Sequence, residues 1–246
     1  MSVAERAVFF PAAGETLFGV FAPAERPRTA DLAVVVLPEA IPAGMRGENA
    51  VIVHLARAVA DAGYASFRLD YHGTGESPGP LPVVLRDHPF LDDVDGAIEW
   101  LRAQGYRRFV LAGSCFGAHT ALLAVPGRPH VHGVALLSCL IAGGHDRASQ
   151  PVLASVAEAG ERGVEVLFCF GRGDPNHVEF EAARPLGLDP LLAAPTIDVE
   201  VLDGPLHSFV DADLQPRVID MVVRWLARAV DGRRTLAPVT ESWTSS

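Results

Sequence analysis

Strand-length apolar runs alternate with helical patterns along most of this sequence, and that alternation constrains the fold more than any other feature. The runs typical of buried strands lie at residues 32–37, 65–69, 109–112, 131–137, 164–170 and 197–202. Between them, apolar residues recur at the spacing of a helix face. Strands separated by helices pair in parallel and are covered by helices on both faces. The sequence therefore predicts an α/β fold on a mostly parallel sheet.

The beginning of the chain departs from this pattern. Residues 7–10 and 16–22 are short apolar segments joined through Ala13 and Gly14, which indicates an antiparallel hairpin. Adding these two segments to the buried runs predicts a sheet of about eight strands, of which the first two are antiparallel.

Size and composition fit one folded domain. The chain has 246 residues, of which 49% are hydrophobic and 20% charged, so a large core can be buried. We expect a single α/β domain over residues 1–231 and a flexible C-terminal tail over 232–246. Two less periodic stretches, 143–162 and 176–195, are candidate lid segments. We expect a short helix after a loop in the first and a mostly irregular path in the proline-containing second.

The charge balance argues against a nucleic-acid partner. Thirty acidic and 20 basic residues leave a net charge of -10, whereas phosphate binding needs clustered positive charge. The chain has no lysine, which excludes a lysine Schiff base and a P-loop lysine. No apolar run reaches the ~18 residues of a membrane helix, so no membrane partner is expected. The sequence leaves the oligomeric state open.

Cysteine usage and the first residues both predict a cytoplasmic protein. Cys115, Cys139 and Cys169 are an odd number without a short-range pairing pattern, so a reducing compartment fits better than a disulfide framework. The first residues lack the basic-then-apolar layout of a signal peptide.

The sharpest motif is Gly113-Ser114-Cys115-Phe116-Gly117, between a predicted strand and a predicted helix. It resembles the nucleophile elbow of the α/β-hydrolase superfamily, in which glycines stand two residues before and two after the nucleophile. The chain turns so sharply there that larger side chains at those two positions would clash. Cys115 has both glycines and Ser114 has neither, so we expect Cys115 to be the nucleophile.

The position of Cys115 before a helix bears on its ionisation. The helix dipole and the unpaired N–H groups of the first turn favour a thiolate, so we expect a lowered thiol pKa. The alternative is that Cys115 is a small buried apolar residue. That is the interpretation we adopt for Cys139 and Cys169, which lie in or beside apolar strands.

A thiol nucleophile needs a base and an acid that orients the base. In α/β-hydrolases the chain order is nucleophile, acid, histidine. Asp174 follows the run at 164–170, and His207 follows the last run in a segment that resembles the histidine turn of the family. We therefore expect a Cys115–His207–Asp174 triad. Asp203 is a rival acid, although very close to His207 in sequence, and Asp174 by itself could be a turn former.

The resemblance implies three more site residues. The oxyanion hole would use the N–H of Phe116, after the nucleophile, and that of Ala40, in the loop after the run at 32–37. Dienelactone hydrolases, a cysteine-nucleophile branch of the superfamily, carry a glutamate just before the oxyanion residue that contacts the resting thiol and helps control its ionisation. Glu39 resembles that glutamate in position, and its alternative is an exposed loop carboxylate.

Residues 70–77, DYHGTGES, resemble the D-x-x-G-x-G-x-S loop of α/β-hydrolases, which is mostly structural in that family. Pro78 stands where a dinucleotide-binding motif has its third glycine, so no dinucleotide is expected. The histidines lack metal-ligand spacing with a third ligand. We expect neither a cofactor nor a metal.

These residues predict an acyl hydrolase that acts on an ester, lactone or thioester of a small-molecule or carrier-bound acyl substrate, through an acyl-cysteine intermediate. A peptide is less expected, because an amine is a poorer leaving group. Two alternatives stay open: an acyltransferase that passes the acyl group to an acceptor other than water, and a non-catalytic hydrolase-like binding protein.

Overall fold

The computed structural model describes residues 4–39, 46, 50–80, 89–141, 150–204 and 213–229. The strands are β1 (Arg6–Ala12), β2 (Glu15–Ala22), β3 (Leu32–Leu37), β4 (Ala65–Leu69), β5 (Arg108–Ser114), β6 (Val131–Leu137), β7 (Glu165–Gly171) and β8 (Ile197–Leu202). The helices are α1 (Val51–Asp61), α2 (Leu91–Ala103), α3 (Phe116–Leu123), α4 (Gln150–Arg162), α5 (Pro175–Ala183), α6 (Asp189–Leu192) and α7 (Gln215–Ala229). A 3-10 turn lies at Arg184–Leu186.

All eight strands join one sheet in the order β1-β2-β4-β3-β5-β6-β7-β8. β1 pairs with β2, and β2 with β4, in antiparallel fashion, while every other neighbouring pair is parallel. The predicted α/β fold, with its mostly parallel sheet and initial hairpin, is confirmed.

The central strand β3 shows why helices cover both faces of the sheet. All of its residues are buried. Its even-numbered side chains belong to the apolar cluster that also contains residues of α1 and α7, and its odd-numbered side chains belong to the cluster that contains residues of α2, α3 and α4. Because successive side chains of a strand point to opposite faces, a strand buried on both sides needs an unbroken apolar run.

The segment 176–195 is more regular than expected, since α5, the 3-10 turn and α6 occupy most of it. Asp174 caps α5 by accepting a hydrogen bond from the Asn176 N–H, and Pro175 occupies the first helical turn, where an N–H has no partner to lose. The expectation of an irregular path was wrong because the Asp-Pro pair starts a helix here instead of forming an isolated turn.

The other candidate lid segment contains α4, which buries Val152, Val156 and Ala159 in the core. Residues 142–149 lie outside the described residues, as does the predicted tail at 232–246. The domain bounds and the lid roles of both segments stay predictions. Across the described ranges, no helix has the length and apolar character needed to cross a membrane.

Glu5, beside β1, ties the hairpin to the rest of the fold. Its carboxylate accepts hydrogen bonds from Arg57 on α1 at 2.7 Å and from Arg68 on β4 at 2.5 Å. The Arg68 side chain is only 8% exposed, so water screens this pair weakly. The hydrogen bond from Arg57, together with the hydrogen bond and charge of Arg68, lowers the pKa of Glu5 from 4.5 to about 2.

We expect Glu5→Gln to lower the free energy of unfolding by on the order of 2 kcal/mol near neutral pH. Because the folded-state pKa of Glu5 lies below its unfolded value, its contribution is complete above pH 4.5 and is lost as the pH falls towards about 2. Urea denaturation of both proteins at about pH 7 and about pH 3 measures this, and the difference between them should shrink by roughly half at the lower pH. An equal difference at both pH values would contradict the assignment.

Candidate active site

Three of the predicted site residues meet at the carboxyl edge of the sheet. Glu39 follows β3, Cys115 follows β5 and Asp174 follows β7. The carboxyl ends of parallel strands lie along one edge, which is where open α/β sheets bind ligands. The charges of Glu39 and Asp174 both act on the Cys115 thiol, so the three side chains share one electrostatic environment.

Cys115 occupies the turn between β5 and α3 in a strained backbone conformation. Its φ of 52° and ψ of −114° fall where non-glycine residues are rare and where functional sites store strain. Its N–H donates to the Leu137 carbonyl at 2.8 Å, which holds the turn against the end of β6. The residue is partly exposed, so the turn presents its thiol at the edge of the sheet.

Close backbone contacts explain the two glycines of the elbow. A Cβ on Gly113 would lie 2.4 Å from the carbonyl carbon of Gly117. A Cβ on Gly117 would lie 2.3 Å from the carbonyl oxygen of Pro38 and 2.5 Å from that of Leu37. The elbow therefore packs against itself and against the end of β3, with no room for a side chain at either position.

Ser114, the neighbour of Cys115, points into the protein. It is fully buried at the end of β5, and its Oγ has no hydrogen-bond partner within the part of the chain that the structure describes. Of the two adjacent candidates, Cys115 is therefore the one that solvent reaches.

The ionisation of Cys115 differs from the expectation. Burial, and next the negative charge of Glu39, raise the pKa of the Cys115 thiol above its ordinary value. Hydrogen bonds from the Phe116 N–H and from the Asn176 side chain lower it, but they do not outweigh burial. The expected lowering of the thiol pKa at a helix N-terminus was wrong in net direction. Burial destabilises the thiolate more than the N–H groups at the start of the helix stabilise it.

Asp174 is held rigidly in a buried position. Only 1% of it is exposed. One carboxylate oxygen accepts the backbone N–H of Asn176 at 2.9 Å, and the other accepts the hydroxyl of Ser138 at 2.5 Å. Ser138 itself has a φ of 49°, a second strained non-glycine residue beside the site. These contacts fix the carboxylate and leave it little freedom to reorient.

The sequence of this chain matches a known protein family. Residues 40–175, more than half of the 246-residue chain, match the family described as serine aminopeptidase, S33. The chain belongs to this α/β-hydrolase family. No curated protein sequence matches the chain.

Solved structures share the fold of this S33-family chain. A protein of unknown function from Agrobacterium tumefaciens, assigned as an α/β hydrolase, superposes with a TM-score of 0.71 at 19% identity, covering 95% of this chain and 100% of that one. An esterase from Pyrococcus furiosus gives 0.69 at 15% identity, covering 92% and 93%. A protein from Klebsiella pneumoniae, assigned as a dienelactone hydrolase, gives 0.65 at 20% identity, covering 93% and 100%.

Within the S33 family match, residues 70–77 form a self-supporting loop. Asp70 accepts the N–H of Glu76 at 3.0 Å, and a Cβ on Gly75 would lie 2.2 Å from the same carboxylate oxygen. His72 is held by Asp93, whose two oxygens lie 3.0 Å from its Nδ1. These contacts give a structural reason for the residues of the loop motif.

Two predicted residues of this S33-family site, Ala40 and His207, lie outside the described residues, so their positions stay predictions. The rival acid Asp203 is exposed and pairs with Arg172 at 2.7 Å. Cys139 and Cys169 are buried core residues, and burial raises the pKa of both thiols, that of Cys169 to about 12.

Sequence reasoning missed Ser138 and Asn176. Both are nearly fully buried and both contact Asp174. Ser138 follows β6, and Asn176 lies two residues after Asp174. The available signal was positional: a polar residue directly after a buried parallel strand lies at the ligand-binding edge.

Proposed function

We propose that this protein is an acyl hydrolase in which Cys115 is the nucleophile, His207 the base and Asp174 the acid that orients it. The observation that carries the proposal is the elbow itself. Cys115 sits at the strained turn between two close-packed glycines and is partly exposed, whereas Ser114 is fully buried. In the elbow of an α/β-hydrolase, the side chain in this position attacks the substrate carbonyl carbon next to the N-terminal end of a helix.

The first half-reaction transfers the acyl group to sulfur. His207 removes the thiol proton, and the thiolate attacks the carbonyl carbon to form a C–S bond. The Phe116 N–H, which already hydrogen-bonds the sulfur, and the Ala40 N–H stabilise the tetrahedral oxyanion. Collapse of the tetrahedral species breaks the bond to the leaving group, which takes its proton from His207.

The second half-reaction returns the enzyme to its resting state. His207 accepts a proton from water as the water oxygen attacks the acyl-cysteine carbonyl. Collapse breaks the C–S bond, the carboxylic acid leaves, and the sulfur takes the proton back from His207. Asp174 keeps the imidazole in the tautomer that both steps need.

Glu39 is proposed to keep the resting thiol protonated. It is 6% exposed, and its negative charge raises the pKa of Cys115. A protonated thiol is protected from reaction with solutes, since the thiolate is the reactive form. Ionisation then depends on the base during turnover.

Asp174→Asn is expected to lower kcat by on the order of 10³-fold, because an amide cannot stabilise the imidazolium or hold the right tautomer. Asp203→Asn serves as the matched control, since this rival acid is exposed and pairs only with an exposed arginine in the described residues. Its kcat should stay within about twofold of wild type, as expected for a surface ion pair. The reverse pattern would assign the acid role to Asp203.

The substrate class follows from the chemistry of a thiol nucleophile and from the named relatives. The Pyrococcus protein is named an esterase, and the Klebsiella protein is assigned to lactone hydrolysis. The family description points instead to amide bonds of amino acids. We favour esters, lactones and thioesters, because an alkoxide or thiolate leaves the tetrahedral intermediate on Cys115 more easily than an amine does, and its departure forms the acyl-cysteine.

A substrate panel tests this assignment. Nitrophenyl esters of increasing chain length, acyl-cysteamine thioesters, lactones and amino-acid nitroanilides are compared by kcat/KM, while intact-mass analysis follows an acyl adduct on Cys115. Turnover of the oxygen and sulfur esters with an adduct supports the proposal, and turnover of the anilides alone overturns it. Adding hydroxylamine or an alcohol separates hydrolysis from acyl transfer: products carrying the added acceptor in preference to water would establish the transferase.

A further inference from the structure

Ser138 lies in a strained backbone conformation directly after β6. Its φ of 49° falls in the left-handed region, which serine adopts rarely and at a cost in free energy. The residue is only 1% exposed, so this conformation does not belong to a solvent-facing turn. Strained residues persist where the contacts around them require that conformation, and they cluster at functional sites.

All three polar groups of Ser138 are used in hydrogen bonds. Its N–H donates to the Cys169 carbonyl on β7 at 2.8 Å, and its carbonyl accepts from the Asn176 Nδ2 at 2.7 Å. Its hydroxyl donates to Oδ2 of Asp174 at 2.5 Å, and the Asn176 N–H donates to Oδ1 of Asp174 at 2.9 Å. Ser138, Asp174 and Asn176 are thus joined in a closed ring of three hydrogen bonds, which we call the carboxylate clamp.

The segment that carries Ser138 is also anchored on its other side, by α3. The Leu140 carbonyl lies 2.7 Å from Nδ1 of His119 on that helix. Cys139 and Ile141 are fully buried. Ser138 is therefore held between β7 and α3, so its hydroxyl stays in place and cannot follow the carboxylate if the carboxylate rotates.

The clamp fixes the plane of the Asp174 carboxylate, because its two donors bind different oxygens. A single donor would hold one oxygen and let the other swing. All three residues of the clamp are at most 3% exposed, so each hydrogen bond forms away from water. A carboxylate has about four lone-pair sites, so it can accept these two hydrogen bonds together with one from an imidazole N–H. The clamp sets the direction from which such a third donor must approach.

We propose that Ser138 is a positioning residue, whose hydroxyl fixes the plane of the Asp174 carboxylate so that this carboxylate orients the base during acyl transfer. The inference rests on the proposed function, in which that base is His207. The strained φ follows from the need to bond β7, Asn176 and Asp174 through three groups of one residue. Ser138 acts through Asp174, so its effect falls on kcat and not on KM.

Ser138→Ala removes the hydroxyl and keeps the backbone. We expect kcat for the best ester or thioester to fall between about 10- and 100-fold, with KM within about twofold of wild type, because a misoriented base weakens only the transition state. Ser66→Ala is the matched control. Ser66 is also 1% exposed, and its hydroxyl donates to the Ala56 carbonyl on α1 at 2.8 Å. Its loss should leave kcat within about twofold of wild type, since this hydrogen bond does not reach Asp174.

Ser138→Gly separates the hydroxyl from the strain. Glycine adopts a positive φ without a steric cost, so this variant should resist urea better than Ser138→Ala and should fold even if the alanine variant does not. Its kcat should nevertheless be as low. In an Asp174→Asn background, Ser138→Ala should change kcat by less than about twofold, because the hydroxyl acts through the carboxylate. Additive losses in this double-mutant cycle would overturn the inference.

Crystal structures of the Ser138 variants test the inference without a substrate. The Asp174 carboxylate should be rotated or occupy two orientations, and the wild-type orientation in either variant would overturn the inference. If Asp174→Asn keeps the kcat of wild type, or if no acyl substrate is turned over, the proposed function fails, and these structures still decide whether Ser138 holds the carboxylate. A loss of kcat in Asp174→Asn without a loss in Ser138→Ala would refute this inference alone.

Discussion

Replacing Cys115 with alanine is expected to lower kcat/KM for the best ester or thioester substrate by about 10⁴-fold or more. The acyl group then has no sulfur to bond to, and the covalent intermediate cannot form. Alanine keeps the Cβ at the strained turn, so the fold should be retained. Initial rates, with circular dichroism as the check on folding, measure the effect, and the acyl adduct should disappear from the intact mass.

Ser114→Ala is the matched control for this loss. Its hydroxyl is fully buried and has no hydrogen-bond partner in the described ranges. Its removal should therefore leave the free energy of unfolding nearly unchanged and kcat/KM within about twofold of wild type. If Ser114→Ala were the inactive variant and Cys115→Ala the active one, the nucleophile would be the serine, and the account of the elbow would be wrong.

Gly117→Ala is expected to cost about 3 kcal/mol or more in the free energy of unfolding. The added Cβ would lie 2.3 Å from the Pro38 carbonyl oxygen and 2.5 Å from that of Leu37, and backbone atoms cannot rotate away as a side chain can. Either β3 or the elbow must move, which disturbs the central strand and the candidate nucleophile Cys115 together. Urea denaturation measures the loss of stability, and we expect hydrolysis to fall with it.

Gly127→Ala separates this clash from the general cost of replacing a glycine. Gly127 has a φ of +73°, but among the described residues no neighbouring atom lies within 4 Å of the place that a Cβ would occupy. Its alanine variant should therefore lose only about 1 kcal/mol, the cost of the backbone conformation. A Gly117→Ala variant as stable as Gly127→Ala would show that the elbow is loosely packed.

Much of the fold, and the choice of Cys115 as the candidate nucleophile, follow from short stretches of sequence. The run at 32–37 predicted a strand buried on both faces, and β3 is buried on both faces. The spacing of the glycines at 113 and 117 favoured Cys115 over Ser114, and the close approach of Gly113 to Gly117 lies within five residues of chain, whereas that of Gly117 to the end of β3 is a tertiary contact. Asp174 was found because a parallel strand ends at the ligand-binding edge, and its catalytic role, like those of His207 and Ala40, stays a prediction.

What the sequence determined by itself was therefore local: alternating strands and helices, a tight elbow, and polar residues after strands. The tertiary structure alone decided how the thiol ionises, because burial and the nearness of Glu39 depend on separate strands coming together. It also revealed Ser138 and Asn176 around Asp174, since these contacts join the ends of β6 and β7. Desolvation and hydrogen bonding act through space, and no spacing along the chain reports them.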